Sequence, residues 1–225
     1  MENIITPPSP HPGIVAIVFA LLFNTGLSFV ISFTGPPYYP GPWESATTIA
    51  EYFRNNGDDA VMCAFFQIGA SIPLMILTGT FVVRLRANGA NAAGTYFALL
   101  GGIMTAINLS LSALTLWVLG TLANDIDQGT IRMLYYLCFA VGGVGYSMPM
   151  GLLIAGIAVT SWFSKSLPKS VVVIGLGIAI IGALSWLSLI FPKLLFLIPL
   201  TRFPAFIWLI GAGFVVVTRT KSQAR

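Results

Sequence analysis

Apolar positions in this chain run in long, nearly unbroken stretches instead of alternating with polar ones. Residues 13–33, 60–83, 94–119, 133–163 and 170–190 each supply the roughly 20 residues that a helix needs to cross a hydrocarbon core about 30 Å thick. The second stretch stops at Arg84 and Arg86, charges that lipid accepts only at a cost of about 3 kcal/mol each. The fourth is long enough to tilt or protrude, and Pro149 is expected to kink it. A sixth and weaker stretch has its apolar core at 203–218, confined by Lys193 and Arg202. Residues 194–200 are too few to cross, so they are expected to lie in the interface or to re-enter. The pattern therefore predicts an all-α protein, a polytopic transmembrane helical bundle of about six spans.

The longest connection, 34–59, changes character along its length. It opens with Gly35-Pro36-Pro37 and Pro40-Gly41-Pro42, which cannot extend a helix. From Glu44 the period becomes helical: Ala46, Ile49, Ala50 and Phe53 share one face, and Glu44, Thr47, Thr48 and Glu51 the other. Ser45 is the expected N-cap. The reading is a short amphipathic helix that rests on the membrane interface or caps the bundle, acting as a spacer or as a lid.

Composition agrees with the pattern. Hydrophobic residues make up 56% and charged residues 8% of 225, whereas soluble domains carry roughly 45–50% and 25%. No stretch remains for a separate soluble domain. The chain divides into a disordered Pro-rich leader (1–12), a six-helix transmembrane domain (13–218) and a basic cytoplasmic tail (219–225). The leader has no Lys or Arg, unlike the basic start of a signal peptide.

The net charge of +4 is read loop by loop and not as a nucleic-acid footprint. Six spans place Arg84, Arg86, Lys165, Lys169, Arg219, Lys221 and Arg225 on one side, and Arg54, Arg132, Lys193 and Arg202 on the other. By the positive-inside rule both termini are cytoplasmic. The expected location is the inner (plasma) membrane, with the 34–59 loop outside.

The landmarks Pro36-Pro37, then Ile49-Ala50-Glu51-Tyr52-Phe53-Arg54-Asn55-Asn56, then a span ending Arg84-Leu85-Arg86, resemble a large family of uncharacterised six-pass bacterial membrane proteins. In that family a Pro-rich outer loop leads into an "IAxYFxxN"-like helix. Leu167-Pro168 before the fifth span, and Trp208 followed by Arg219, are similar as well. The resemblance implies the six-pass topology and brings no catalytic residues with it.

Polar residues within the apolar stretches carry the functional reading. Gly101, Thr105, Asn108, Ser112 and Thr115 form one continuous helix face in the third span. Asn24, Ser28 and Ser32 are spaced four apart in the first, and Gln67 enters the second. Two readings follow. The groups glue helices together, at ~0.6 kcal/mol each and up to 1–2. Alternatively Asn24, Gln67, Asn108 and Ser112 line a polar cavity with Tyr135, Tyr136 and Trp186. Small residues at Gly142, Gly143 and Gly145, and at Gly175, Ala179 and Gly182, let backbones approach, within the chain or as a homodimer seam.

No Asp, Glu, Lys, Arg or His falls clearly inside a span by this reading, which argues against a proton pump. There is no HExxH, no P-loop and no Ser-His-Asp set, since the one histidine is His11 in the leader. Asp125 and Asp127 read as a solvated turn. Cys63 and Cys138 lack CxxC spacing and are expected as free, buried thiols. No metal and no cofactor is called for. The expectation is a non-enzymatic membrane scaffold, accessory subunit or lipid sensor; the alternative is a permease or binding protein for a small weakly polar or lipidic molecule. The expected partners are membrane lipid, another membrane protein or a second copy, and no nucleic acid.

The topology has a direct test. Single cysteines at Thr47 and Gln128 should react with an impermeant thiol reagent in intact cells, and those at Ser166 and Ser222 should be protected. A reactive tail would overturn the arrangement.

Overall fold

A computed structural model describes residues 9–31, 38–87 and 93–223, the last seven by backbone alone. Among these are eight α-helices, two short 3-10 turns and no strand. Six segments are long and apolar enough to cross a membrane: Pro12–Val30, Gly57–Ala87, Ala93–Leu122, Gln128–Ser164, Lys169–Leu189 and Pro192–Val216. The molecule is thus an all-α, six-span integral membrane bundle. Most of the leader, Ser32, Gly35-Pro36-Pro37 and Arg225 lie outside the described residues.

The first span is α1 (Pro12–Val30). Ahead of it, the His11 ring packs at a tilt against Phe214 with ring centroids 4.8 Å apart, so the end of the expected leader is already packed. The extramembrane helix α2 (Ala46–Asn55) follows, then α3 (Gly57–Ala87) and α4 (Ala93–Leu122). The fourth span is two helices, α5 (Gln128–Gly142) and α6 (Val144–Ser164). Its interruption, which the sequence did not announce, falls at Gly143, and α6 continues through Pro149. α7 (Lys169–Leu184) ends in the 3-10 turn Ser185–Leu189.

The last span also departs from expectation. A 3-10 turn at Pro192–Leu194 leads into α8 (Leu197–Gln223), which carries Arg202 and Pro204 inside it. Residues 197–200 are therefore the first turn of α8 and not a separate piece, and 194–196 form the turn that leads into it. The charge at Arg202 does not end the helix, because protein groups receive it.

α1 packs on α3 and α8, α3 on α4, α4 on α6, and α6 on α7. Lipid tails are as apolar as leucine, so association between spans rests on close packing. Small residues provide it: an added Cβ at Gly156 would stand 2.4 Å from the Ala98 backbone N, and one at Gly101 would stand 2.4 Å from that of Leu153. The small residues of α7 are used inside the chain. Gly175 lies under the Trp208 indole and Gly182 meets Gly151 of α6.

The buried apolar residues form two groups. One runs through α1, α3, α4, α6, α7 and α8, with Phe19, Phe23, Leu74, Tyr146 and Leu209 among them. The other lies at the α2 end, around Val30, Ile49, Phe53, Leu119 and Tyr135. α2 is fastened there as a cap. The Ser45 hydroxyl accepts from the Thr48 amide at 3.0 Å, the expected N-cap. Ile49, Ala50, Tyr52 and Phe53 are buried while Thr47, Thr48 and Glu51 stay exposed. Arg54 donates to the carbonyls of Ala123 (3.1 Å) and Ile126 (3.2 Å), and Tyr52 to that of Val30 (3.2 Å). Ser166 is buried in the α6–α7 turn, so Lys169, which is exposed, is the better labelling position on that side.

Gly156→Leu should cost about 3 kcal/mol, because overpacking a closed backbone contact is destabilising. Gly177→Leu, with nothing within 4 Å of its added Cβ, should stay within about 0.5 kcal/mol of the parent. Thermal unfolding in one detergent compares them; equal midpoints would contradict the packing.

Candidate ligand site at the broken fourth span

The break at Gly143 has a backbone origin. Gly143 adopts φ −86° and ψ −92°, outside the helical region, and a Cβ there would sit 2.6 Å from the Phe139 carbonyl oxygen. Its amide bonds Phe139 (2.7 Å), and the next bonded amide is that of Ser147 to Gly143 (2.9 Å). Carbonyls of the last turn of α5 thus lose their helical donors. In lipid no water replaces them.

Three side chains from two other helices reach this stretch instead. Arg202 of α8 donates to the Gly142 carbonyl. Ser112 of α4 donates to the Cys138 carbonyl at 2.9 Å. Asn108, also of α4, donates to the Gly145 carbonyl at 2.5 Å. That last acceptor is left over for a second reason: it is four residues before Pro149, which has no N–H to give it. The polar stripe of the third span is therefore aimed at one broken stretch of backbone.

Arg202 is the charge that the sequence reading placed outside the spans. Its Cζ lies 5.2 Å from the Phe23 ring centroid and 4.9 Å from that of Tyr146, a cation–π contact with two adjacent rings. Its Nε is covered and has no hydrogen-bond partner. Tyr146 and Ser147, both fully buried, also carry hydroxyls without a partner. Arginine keeps its proton in proteins and offers donors only. The cluster can hold a negatively polarised oxygen, and it supplies no acid–base pair.

The expected site residues separate into three kinds. Asn108 and Ser112 meet at the break. Tyr135 is buried at the α2 end, where its hydroxyl donates to the Pro40 carbonyl at 2.5 Å. Asn24 bonds the Ala20 carbonyl of its own helix (2.7 Å) and its residue is exposed, so it glues no helix pair. Gln67 is half-buried, its Cγ near the position of a Cβ on Gly26. Tyr136 and Trp186, 44% and 48% exposed, face outward like Trp117. They fit the aromatic belt of a membrane interface and not a cavity wall. Missed at first were Arg202, Tyr146 and Gly142. A basic residue flanked by apolar helix, together with Gly142-Gly143-Val144-Gly145 in mid-span, was the signal.

The remaining candidates sit elsewhere. Cys63 and Cys138 are free and buried, as expected. Asp127 caps α5, and hydrogen bonds from the Thr130 side chain and amide hold its carboxyl below the usual range. A polar cleft of about 510 Å³ on the cap is lined by Tyr38, Glu44, Glu51 and Asn55. Within it, one Glu44 carboxylate oxygen accepts from the Gly41 amide at 2.8 Å. No family model, no curated protein and no solved structure matches this chain.

The pairing of Asn108 with the carbonyl released by Pro149 predicts coupling. Asn108→Leu should cost about 1 kcal/mol in the parent. In a Pro149→Ala background, where the new Ala amide reaches Gly145, the same change should cost at most about half of that. Additive effects in a double-mutant cycle of unfolding midpoints would show that the proline plays no part.

Proposed function

We propose that this is a non-enzymatic membrane protein that binds a lipidic or small weakly polar molecule beside the broken fourth span. The observation that carries the reading is the setting of α5. Among the described residues it packs on α4, on α2 and, across the break, on α6. α8 reaches it only around the break, through Ile198 beside Gly143 and Arg202 on Gly142. Beyond that point toward α2, the backbones of α1 and α8 make no extended close approach to α5 among the described residues, and α1 meets its cluster only through Leu27 and Val30. Interrupted spans with unwound backbone at membrane depth are tolerated where they line a cavity, and membrane carriers place their substrates at such points. The lipid-binding or lipid-sensing role and the permease role share this site.

The protein is proposed to sit in the plasma membrane with both termini cytoplasmic. Support comes from what the basic residues do. Arg202 lies within a span and not in a loop, so the α2 side keeps only Arg54, Arg132 and Lys193 as loop or helix-end basic residues. The resemblance of its landmarks to the uncharacterised six-pass family also supports this placement, adding topology and no activity.

A second reading, an accessory subunit that docks a partner helix, is favoured by one feature. An apolar groove of about 550 Å³ lies open between α3 and α4, lined by Val61, Phe65, Phe66, Gly69, Leu114 and Trp117.

Native mass spectrometry of the full chain, released from a mild detergent, tests the first reading. A bound amphiphile retained in about one copy per chain is expected, enriched over its share of the membrane extract. Only bulk lipid in membrane proportions would count against it, and a stoichiometric protein partner would favour the second reading.

A further inference from the structure

Resting on that reading, we infer that the ligand is an anionic amphiphile, one negatively charged carboxylate or phosphate head on an apolar tail, and that Arg202 with the first turn of α6 receives the head. Three observations converge on this.

The first is an uncompensated charge. Arg202 lies within a span, where an ionised side chain is normally paired. Apart from Glu2 in the leader, every acid of the chain lies on α2, at the start of α3, in the α4–α5 turn or beside α2. The titratable groups that act on the guanidinium are Tyr146 and Cys63, and no carboxylate is among them. Two ring faces and one carbonyl lower the cost of burial without neutralising the charge.

The second is a set of idle donors. A guanidinium has five N–H groups in a fork that matches a carboxylate or phosphate. Its Nε is covered and unpartnered, and so are the hydroxyls of fully buried Tyr146 and Ser147. All three are able to donate, so an oxygen acceptor suits them where a cation does not, and an anionic oxygen also answers the guanidinium charge.

The third is the start of a helix at the same place. α6 begins at Val144, and the amides of Val144, Gly145 and Tyr146 belong to the turn that has no intrahelical acceptor. Such an end attracts anions through its dipole. Tyr146 and Ser147 sit on that turn, and Arg202 reaches the residue just before it. The side chains beside the break, Phe23 and Ile198, are apolar, which suits a tail.

The test uses the full chain in phosphatidylcholine nanodiscs with a diazirine-bearing fatty acid and its fatty alcohol analogue, adducts being quantified by peptide mass spectrometry. In the parent the acid should label α5, α6 and α8 peptides about tenfold more than the alcohol, a difference of about 1.4 kcal/mol. Oleate or lysophosphatidate should compete, and whichever is stronger identifies the head; inorganic phosphate should not. Arg202→Gln should bring acid and alcohol to parity, Arg202→Lys should keep part of the preference, and Tyr146→Phe, which retains the ring, should lower it about threefold, or about 0.7 kcal/mol. Should Arg202→Gln fail to fold, the Lys and Phe variants decide the matter. An unchanged preference in them and in Gln would overturn the proposal, as would phosphate displacing the acid as fully as oleate, which marks a free-anion site. Equal labelling by acid and alcohol at this site overturns the charge reading and leaves amphiphile binding standing. Absence of labelling by either removes both.

Discussion

Inside a bilayer a backbone carbonyl has no water to turn to, and the fourth span of this protein leaves several without a helical donor. Much of the interior arrangement answers that constraint. α4 brings Asn108 to the Gly145 carbonyl that Pro149 frees, and Ser112 to Cys138 one turn before the break. α8 brings Arg202 to Gly142. For α4 to deliver short side chains at that depth, its axis must lie close to α6, and Gly94, Gly101 and Gly156 allow the approach. The small residues and the polar stripe therefore belong to one device.

The same constraint explains how a charge is tolerated inside a span. Arg202 is received by a carbonyl that the break exposes and by two ring faces, Phe23 and Tyr146. Phe23 in turn packs edge-on or tilted against Phe19 and Phe206. The cation thus lies against the aromatic part of the main core and not at its rim. A charge held this way is left with donors to offer, which separates Arg202 from Arg54, whose guanidinium bonds the carbonyls that close α4 and the following turn.

The cap works on the opposite principle. α2 is half polar and stays in water on one face, so it docks through Ile49, Tyr52 and Phe53 and through hydrogen bonds at its rim. Tyr39 stacks edge-on against Tyr52, Phe53 and Tyr135 and joins the loop to α5. Burial pushes the Tyr52 hydroxyl up to about 12, with Asp59 adding to the effect. It therefore stays a neutral donor to Val30 throughout the ordinary pH range.

Hydrophobic run length, Ser45 ahead of an amphipathic face and the glycine spacing of the spans were legible from the sequence, because each is a local or periodic property. The six spans, the α2 cap and its face, and the two free thiols could be read that way. The polar stripe was visible too, but not its target, since its acceptors lie on helices 26 and 37 residues away. Pro149 was visible as a break in the bonding pattern, but the interruption at Gly143 was not, since it depends on a ψ that glycine tolerates and on side chains of α4 and α8 that meet the freed carbonyls. Tyr136 and Trp186 shared the composition of a cavity wall, yet their helix faces point outward. Arg202 read as the edge of a span for the same reason. Sequence alone shows a charge next to apolar residues, and only the packing of α1, α5, α6 and α8 decides whether a carbonyl and two rings stand there to accept it.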